Sequence, residues 1–337
     1  NLASTLGALG EWTDARVMQE QVLGVRERVL GADHHDTLTT MGNLALTLRA
    51  LGDLSGAHVL QVKVFETSKR VLDPEHPDML AAMSNLASTL GDLGDFSAAR
   101  DLQERALDVC RRVFGLEHPD TLNCMNNLAV TLHAGNELHA ARDMLERVVE
   151  ISRRVLGAEH ARTLSSMNNL AGVLRALGDA HAALAIHEQV LAIRQRVQGP
   201  EHIDALTTMN NMATTHYAIG NLTEARVLQE QVLGIRQRLF GPEHPSTLGS
   251  MSNLAFTRHA MGELHEARAM QEEVLEIRHR VLGPDHPNTL SSFSNLVQAS
   301  QKAGDSEAVS NLMTRYPDLA STMFKKLSGS SAQFDTP

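Results

Sequence analysis

At 337 residues, with a formal net charge of −10 and a pI near 5.9, the chain lacks the basic balance of a protein that coats a phosphate backbone, so nucleic acid is excluded as the expected partner. Hydrophobic residues make up 42% and aromatics only 3%, a composition that suits close helix-on-helix packing and not a sheet core. Cys110 and Cys124 are the only cysteines, too few for a disulfide framework or a four-thiolate metal site, and they fit a reducing cytoplasm. No apolar run approaches the roughly 18 to 20 residues of a membrane span, and no signal peptide opens the chain.

The chain begins without Met, at Asn1, with the triplet NLA. That triplet belongs to a motif that returns as MGNLA at Met41, MSNLA at Met83, MNNLA at Met125 and Met167, MNNMA at Met209, MSNLA at Met251 and FSNLV at Phe293, each 42 residues after the last. A fixed period of this length marks a solenoid of stacked units, one quasi-linear body to which counting domains by length does not apply. Because Asn1 falls inside a unit, the first unit is expected to be truncated, and the chain to be a piece of something longer whose missing part is a candidate effector.

Each unit predicts two helices. In the unit from His118 to Gly157, Asp120 is the expected N-cap, and Leu122, Met125, Leu128, Ala129 and Leu132 recur on one face of a helix, here called A, that ends near Ala134. GNEL at Gly135 breaks it, reading as a Gly-Asp turn like Gly52-Asp53 shifted by one, and a second helix, B, runs from about His139 to Val155. Thr121 to Ala134 carries no Asp, Glu, Lys or Arg, whereas ARDMLERVVEISRR is charged throughout, so B is the expected outer layer. At 100° per residue Asn127 falls opposite the apolar face of helix A, beside Asn123, Val130 and Ala134, and is expected to line an inner, partly shielded surface.

The paired helices, with Leu44-Ala45, the turn at Gly52, Ala57 in helix B and Pro77 in the linker, resemble the tetratricopeptide repeat. The 42-residue period and the linker GxEHPDTL resemble most closely the variant of kinesin light chains and of the sensor arrays of signalling ATPases, over roughly residues 1 to 315. The resemblance implies an all-α solenoid, a right-handed superhelix, that binds extended peptides or partner proteins in a concave groove. It also implies that the Asn before each Leu-Ala pair contacts the bound chain: Asn43, Asn85, Asn127, Asn169, Asn211, Asn253 and Asn295. The basic residues of a carboxylate clamp are not reproduced, since the residues three later are Leu46, Ser88, Val130, Gly172, Thr214, Phe256 and Gln298. The Asn column has a second reading, as buried amides tying neighbouring helices together.

On the A helices the ionisable residues facing or flanking the groove are Arg49, Asp92, His133, Arg175, His259 and Lys302, with Tyr217 aligned among them. This basic balance inside an acidic molecule points to an acidic or phosphorylated ligand. The linker histidines His34, His76, His118, His160, His202, His244 and His286 share one register. A shared metal would need ligands about 2 Å from the ion, and equivalent points on packed helices are at least ~8 Å apart, so they read as loop-locking residues that satisfy backbone groups near a helix start. Arg28, Arg70, Arg112, Arg154, Arg196, Arg238 and Arg280 close the B helices, within reach of their own linker's acid, as Arg112 to Glu117. The Met column from Met41 to Met251 reads as core. His216 and Arg258 replace the Leu of other units and either snorkel to an edge, the favoured reading, or form a specific polar contact at this end.

After Asn295 the pattern drifts, and Ser306 to Tyr316 with Asp318 to Leu327 reads as a capping helix pair. The expected division is an array over 1–315, a C-terminal capping helix over 316–327 and a disordered tail over 328–337. No Walker-type GxxxxGK[ST], CxxC pair, HExxH or GxSxG occurs, so neither an enzyme nor a cofactor is expected. The leading expectation is a monomeric scaffold binding an acidic peptide or protein. The alternatives are a sensor segment of a larger signalling ATPase or effector, and a scaffold that self-associates end to end.

Overall fold

The computed structural model describes residues 12–323. The expected truncated start at Asn1, the end of the capping helix and the expected disordered tail at 328–337 lie outside the described residues. In chain order the helices are α1 (Trp12–Leu30), α2 (His35–Ala50), α3 (Leu54–Val71), α4 (Pro77–Asp92), α5 (Phe96–Phe114), α6 (Pro119–Ala134), α7 (Leu138–Val155), α8 (Ala161–Ala176), α9 (Ala180–Gln198), α10 (Ile203–Ala218), α11 (Leu222–Phe240), α12 (Pro245–Ala260), α13 (Leu264–Leu282), α14 (Pro287–Lys302) and α15 (Ser306–Arg315). Residues 317–323 are also helical. No strand occurs among the described residues, and none of the helices there is long and apolar enough to cross a membrane. The chain forms two compact units, Asn1–Leu228 and Gln229–Pro337.

In the first unit the even-numbered A helices alternate with the odd-numbered B helices, each packed on its sequence neighbours. Successive A helices, α2 with α4, α4 with α6, α6 with α8 and α8 with α10, also touch one another. The A helices therefore form the inner layer. Small residues make this possible: Ala45, Ala87, Ala129, Ala171 and Ala213 on A helices, and Ala57, Ala99, Ala141, Ala183 and Ala225 on B helices, are all 0% exposed. Without side chains beyond Cβ, the backbones approach closely and the larger Leu and Met interdigitate around them. Met41, Met83, Met125, Met167 and Met209 lie in this core.

The linkers are fastened by hydrogen bonds that repeat. Each linker histidine is the N-cap of its A helix, its Nδ1 accepting the backbone N–H two residues on, as Asp120 N–H to His118 at 3.2 Å and Arg162 N–H to His160 at 3.2 Å. The cap is thus His118 and not Asp120, because the imidazole reaches the same orphan N–H that a shorter cap side chain would satisfy. Pro77, Pro119, Pro245 and Pro287 follow directly at the first helical position, where their missing N–H costs nothing. Thr121 Oγ1 donates to the carbonyl of Gly115 at 2.7 Å and Thr163 Oγ1 to that of Gly157 at 2.9 Å, which ties the end of each B helix to the start of the next A helix. Four of the described B helices start on Asp caps, Asp53, Asp95, Asp179 and Asp305, as Asp95 accepting from Ala98 N–H at 3.0 Å, whereas Glu137 before α7 and Glu263 before α13 make no side-chain cap bond. The turn before α7 is not shifted: Asn136 adopts φ 64°, the left-handed conformation that Gly52, Gly94 and Gly178 take in the same register, and Asn is a residue that tolerates it.

The column of Arg residues at the B-helix ends reaches backward. Arg112 pairs with Glu75 at 2.7 Å and Arg154 with Glu117 at 2.7 Å, each bridging to the linker of the preceding unit and not to its own. Stacking places equivalent linkers side by side, so the neighbour's acid is nearer than the one further along the chain. Both partners of these pairs are largely exposed, and each contributes at most about 1 kcal/mol.

In the second unit, Leu248, Met251, Leu254 and Val274 form one core, and Phe293, Leu296, Leu312, Tyr316 and Leu319 another. Leu319, in the last described helical segment, is 0% exposed and covers the face of α14. Arg258 does not simply snorkel: it bonds Glu230 at 3.0 Å and lies 3.8 Å from Glu263, a specific ion pair between elements.

Because the cap recurs in every linker, its loss should be measurable one unit at a time. His118→Ala should lower stability in urea denaturation by about 1 kcal/mol, and His118→Asn, which keeps a cap acceptor, by less. His118 also stacks on Phe114, ring centroids 4.7 Å apart, and equal losses would place the contribution in that stacking instead of in the cap.

Candidate ligand-binding groove

Three cavities open on the A-helix face of the first unit, of about 220, 210 and 230 Å³ in chain order. They hold most of the residues singled out in the sequence. The first, between α2 and α4, is lined by Asn43 and Asn85; the second, between α4 and α6, by Arg49 and Asn127; the third by His133, Asn169, Arg175 and Asn211. In the second unit, His259 lines a cavity of about 230 Å³ with Arg268 and Asp305, and Asn295 lines one of about 110 Å³ with Phe256 and Arg278. Tyr217, 40% exposed, and Asn253 line none of these.

All seven asparagines of the column are half-buried. Asn169 serves the packing, because its Nδ2 donates to Asn126 Oδ1 on the neighbouring A helix at 3.0 Å. The side-chain amides of Asn43, Asn85, Asn127 and Asn211 make no hydrogen bond to the protein and face the cavities. In the second cavity Gln103, which lines it with Asn127, is buried and its Oε1 has no hydrogen-bond partner.

Charge is distributed unevenly. Arg49 is neutralised by a direct ion pair with Asp92. Arg175 has no ion pair or side-chain hydrogen bond, and its guanidinium opens into the third cavity. Its field and burial hold His133 below the usual imidazole range, burial being the larger cause. His187, missed in the sequence, lies behind: it is 1% exposed, its Nδ1 meets Asn168 Oδ1 at 2.9 Å, and burial followed by the charge of Arg175 lowers its pKa to about 4. The signal was present in the register, where Gln61, Gln103 and Gln229 occupy the equivalent position and only this unit has a titratable residue. Amides, hydroxyls, neutral imidazoles and one open guanidinium gather here, a set suited to holding a polar, extended chain.

His187 sets a pH dependence. Its folded pKa lies below the unfolded value, so below about 6.5 the unfolded chain takes up a proton that the folded one refuses, and stability falls with pH down to about 4. The full shift corresponds to on the order of 3 kcal/mol. Urea denaturation at about pH 7 and about pH 4.5 should show His187→Gln, the residue of the other units, losing less stability on acidification than the natural chain; parallel losses would remove His187 from this role.

Known proteins agree with this architecture. The tetratricopeptide repeat family model matches residues 1–67, 60–110, 78–154, 137–196, 162–238 and 204–255, and a second tetratricopeptide repeat model matches 247–288. Among solved structures, a Podosopora anserina kinesin light chain with nearly identical repeats is 32% identical, with a TM-score of 0.51, over 61% of this chain and 97% of that one. BtubC (BKLC) from P. vanneervenii is 22% identical with a TM-score of 0.55, over 68% of this chain and 92% of its own. A STAND protein with a tetratricopeptide repeat sensor from Pyrococcus horikoshii, 12% identical, has a TM-score of 0.52 over 94% of this chain and 49% of its own; these last two share the fold. No curated protein sequence is a significant match. Such repeats generally serve as protein-interaction modules, and the scaffolds built from them are typically non-enzymatic. With seven family segments running from residue 1 to residue 288, the chain belongs to the tetratricopeptide repeat family, and its repeats are of the kinesin-light-chain-like kind.

Proposed function

We propose that the first unit is a receptor for an extended peptide segment carrying anionic side chains, held on the face formed by α2, α4, α6, α8 and α10. The observation that carries this reading is Arg175, an open guanidinium in a cavity of about 230 Å³ flanked by Asn169, Asn211 and Thr214. A guanidinium grips a carboxylate or phosphate through two parallel N–H donors, and partial burial strengthens the bond. The open amides of Asn43, Asn85, Asn127 and Asn211 add backbone contacts along the same face.

Magnitudes assign the roles. A neutral hydrogen bond contributes about 0.5 to 1.5 kcal/mol net and one to a charged group about 1.5 to 3, whereas micromolar binding requires about 8 kcal/mol. The asparagines orient the segment, Arg175 supplies charge selectivity, and buried apolar surface must supply the remainder. Arg49 contributes less selectivity than its sequence position suggests, because Asp92 already holds it. Tyr217 extends the same reading within the first unit, and in the second, taken by itself, His259, Asn253 and Asn295 are the corresponding contacts. A partner-binding face of this kind serves a monomeric cytoplasmic scaffold, and serves equally as the sensor segment of a larger signalling ATPase, the use that the STAND sensor illustrates.

Fluorescence anisotropy with a labelled extended peptide rich in Glu, and its Gln counterpart, tests the reading. The Glu peptide should bind more tightly, and Arg175→Gln should weaken it by about tenfold or more while leaving the Gln peptide unchanged. Glu-peptide binding that ignores Arg175, and ignores salt between about 50 and 300 mM, would overturn it.

A further inference from the structure

One register on the inner side of the B helices distinguishes the units from one another. Arg194 donates through Nη1 to the Asp204 carbonyl at 2.9 Å and to Thr208 Oγ1 at 2.7 Å. Arg26 makes the same pair of bonds to the Asp36 carbonyl at 2.8 Å and Thr40 Oγ1 at 2.7 Å, and Arg236 to the Ser246 carbonyl at 3.0 Å and Ser250 Oγ at 2.7 Å. Each is a strut that fills the space between a B helix and the A helix that follows. Three units lack the strut: their residues are Ser68 with Ala82, Cys110 with Cys124, and Ser152 with Ser166. In the second of these the two sulfurs fill the space, 3.1 Å apart. At Ser68 and Ala82 both side chains are small, and the first cavity, of about 220 Å³, opens there.

The walls of this cavity are apolar, with Leu38, Leu46, Val64 and Val71 around Ala82, and the open amides of Asn43 and Asn85 stand at its lining on successive A helices. A dry cavity of about 150 Å³ already accepts a benzene ring, so the space admits a large side chain. The charged groups at its edge are Asp33, paired with Arg70 at 2.6 Å, and Asp78, whose carboxylate lies 3.0 Å from His35 Nε2. Two carboxylates against one guanidinium repel an anion and favour a basic neighbour. The two ends of the groove therefore differ in chemistry: apolar with an acidic rim between α2 and α4, cationic at Arg175 on α8.

We propose that this cavity is the anchor subsite for one large apolar side chain, aromatic or Leu-sized, of an extended peptide, with a basic residue beside it. The occupant rests on the peptide reading above. Two to three A-helix steps of about 8 to 10 Å separate the cavity from Arg175, a span covered by about six to eight extended residues. The partner motif is thus bipartite, an apolar residue with a basic neighbour and an anionic residue about six to eight positions away.

The test uses labelled Gly-Ser peptides of about twelve residues carrying a Trp-Lys pair and a Glu pair at that spacing, with Trp→Ser and Glu→Gln counterparts. They are titrated against the natural chain, Arg175→Gln, and Ser68→Arg/Ala82→Thr, which installs the strut other units carry. The natural chain should prefer Trp over Ser by about tenfold; the strut variant, folded by circular dichroism, should lose that preference and keep its preference for Glu over Gln. Ala82→Leu, which fills the cavity with a single side chain, should behave alike and covers a strut variant that fails to fold. Indifference of the natural chain to Trp→Ser, or a Trp preference that survives both fillings, would overturn the proposal. So would mass doubling in light scattering that Ala82→Leu abolishes, since the cavity would then receive a second copy of the chain. If the Trp preference follows Ser68 and Ala82 while Arg175→Gln changes nothing, the anchor stands and the anionic reading falls.

Discussion

Neither helix of a repeat can bury its own apolar face; each must share it with the next helix in the chain. Of the described structure, everything else depends on this sharing. An alanine that is fully buried at the same place in each A and B helix of the first unit sets how closely the backbones approach, and the Leu and Met side chains fill what remains. A larger residue at Ala129 would force the pair apart and strain every contact above and below it. Because A helices also meet one another, any residue on the far side of an A helix is delivered to one common face, which is how a 42-residue period in one dimension becomes a row of cavities in three.

Polar groups follow the same frame. The orphan N–H groups at each A-helix start find an imidazole nitrogen, and the Thr hydroxyls bind the end of one B helix to the beginning of the next A helix. Where the frame is satisfied by protein partners, as at Asn169 with Asn126 or Arg49 with Asp92, the residue is structural. Where it is left open, as at Arg175 and the amides of Asn43, Asn85, Asn127 and Asn211, the same register becomes available to a ligand. Within one column, Asn169 is tied to its neighbour, while the amides of Asn43, Asn85, Asn127 and Asn211 are left for the proposed ligand.

Periodicity made the repeat, the two layers and the inward asparagines legible, since these depend only on position along a helix. The histidine role was legible too, because a ring shared at one register beside a helix start has an orphan N–H to meet. What depended on stacking was not. Arg112 pairs with Glu75 because neighbouring linkers lie side by side, while sequence distance favoured Glu117. Asn136 stands where a Gly is expected, and its left-handed conformation keeps the turn in register where the letters suggested a shift. His187 and the Arg194 strut were invisible as motifs, because each acts through partners on another helix; their only trace was a residue type that varies from unit to unit at one register.

The central claim is that partners are held on the A-helix face of the first unit and not on the outer B helices. Two exposed valines allow a matched comparison: Val130, 44% exposed on α6 and lining two of the cavities, and Val113, 39% exposed on α5. A photo-crosslinking amino acid placed at each position, with a Glu-containing extended peptide as the target, reads the contact directly. Crosslinks from position 130 and none from position 113 are expected. Crosslinks from position 113 alone would move the binding surface to the outer layer and contradict the assignment of the groove.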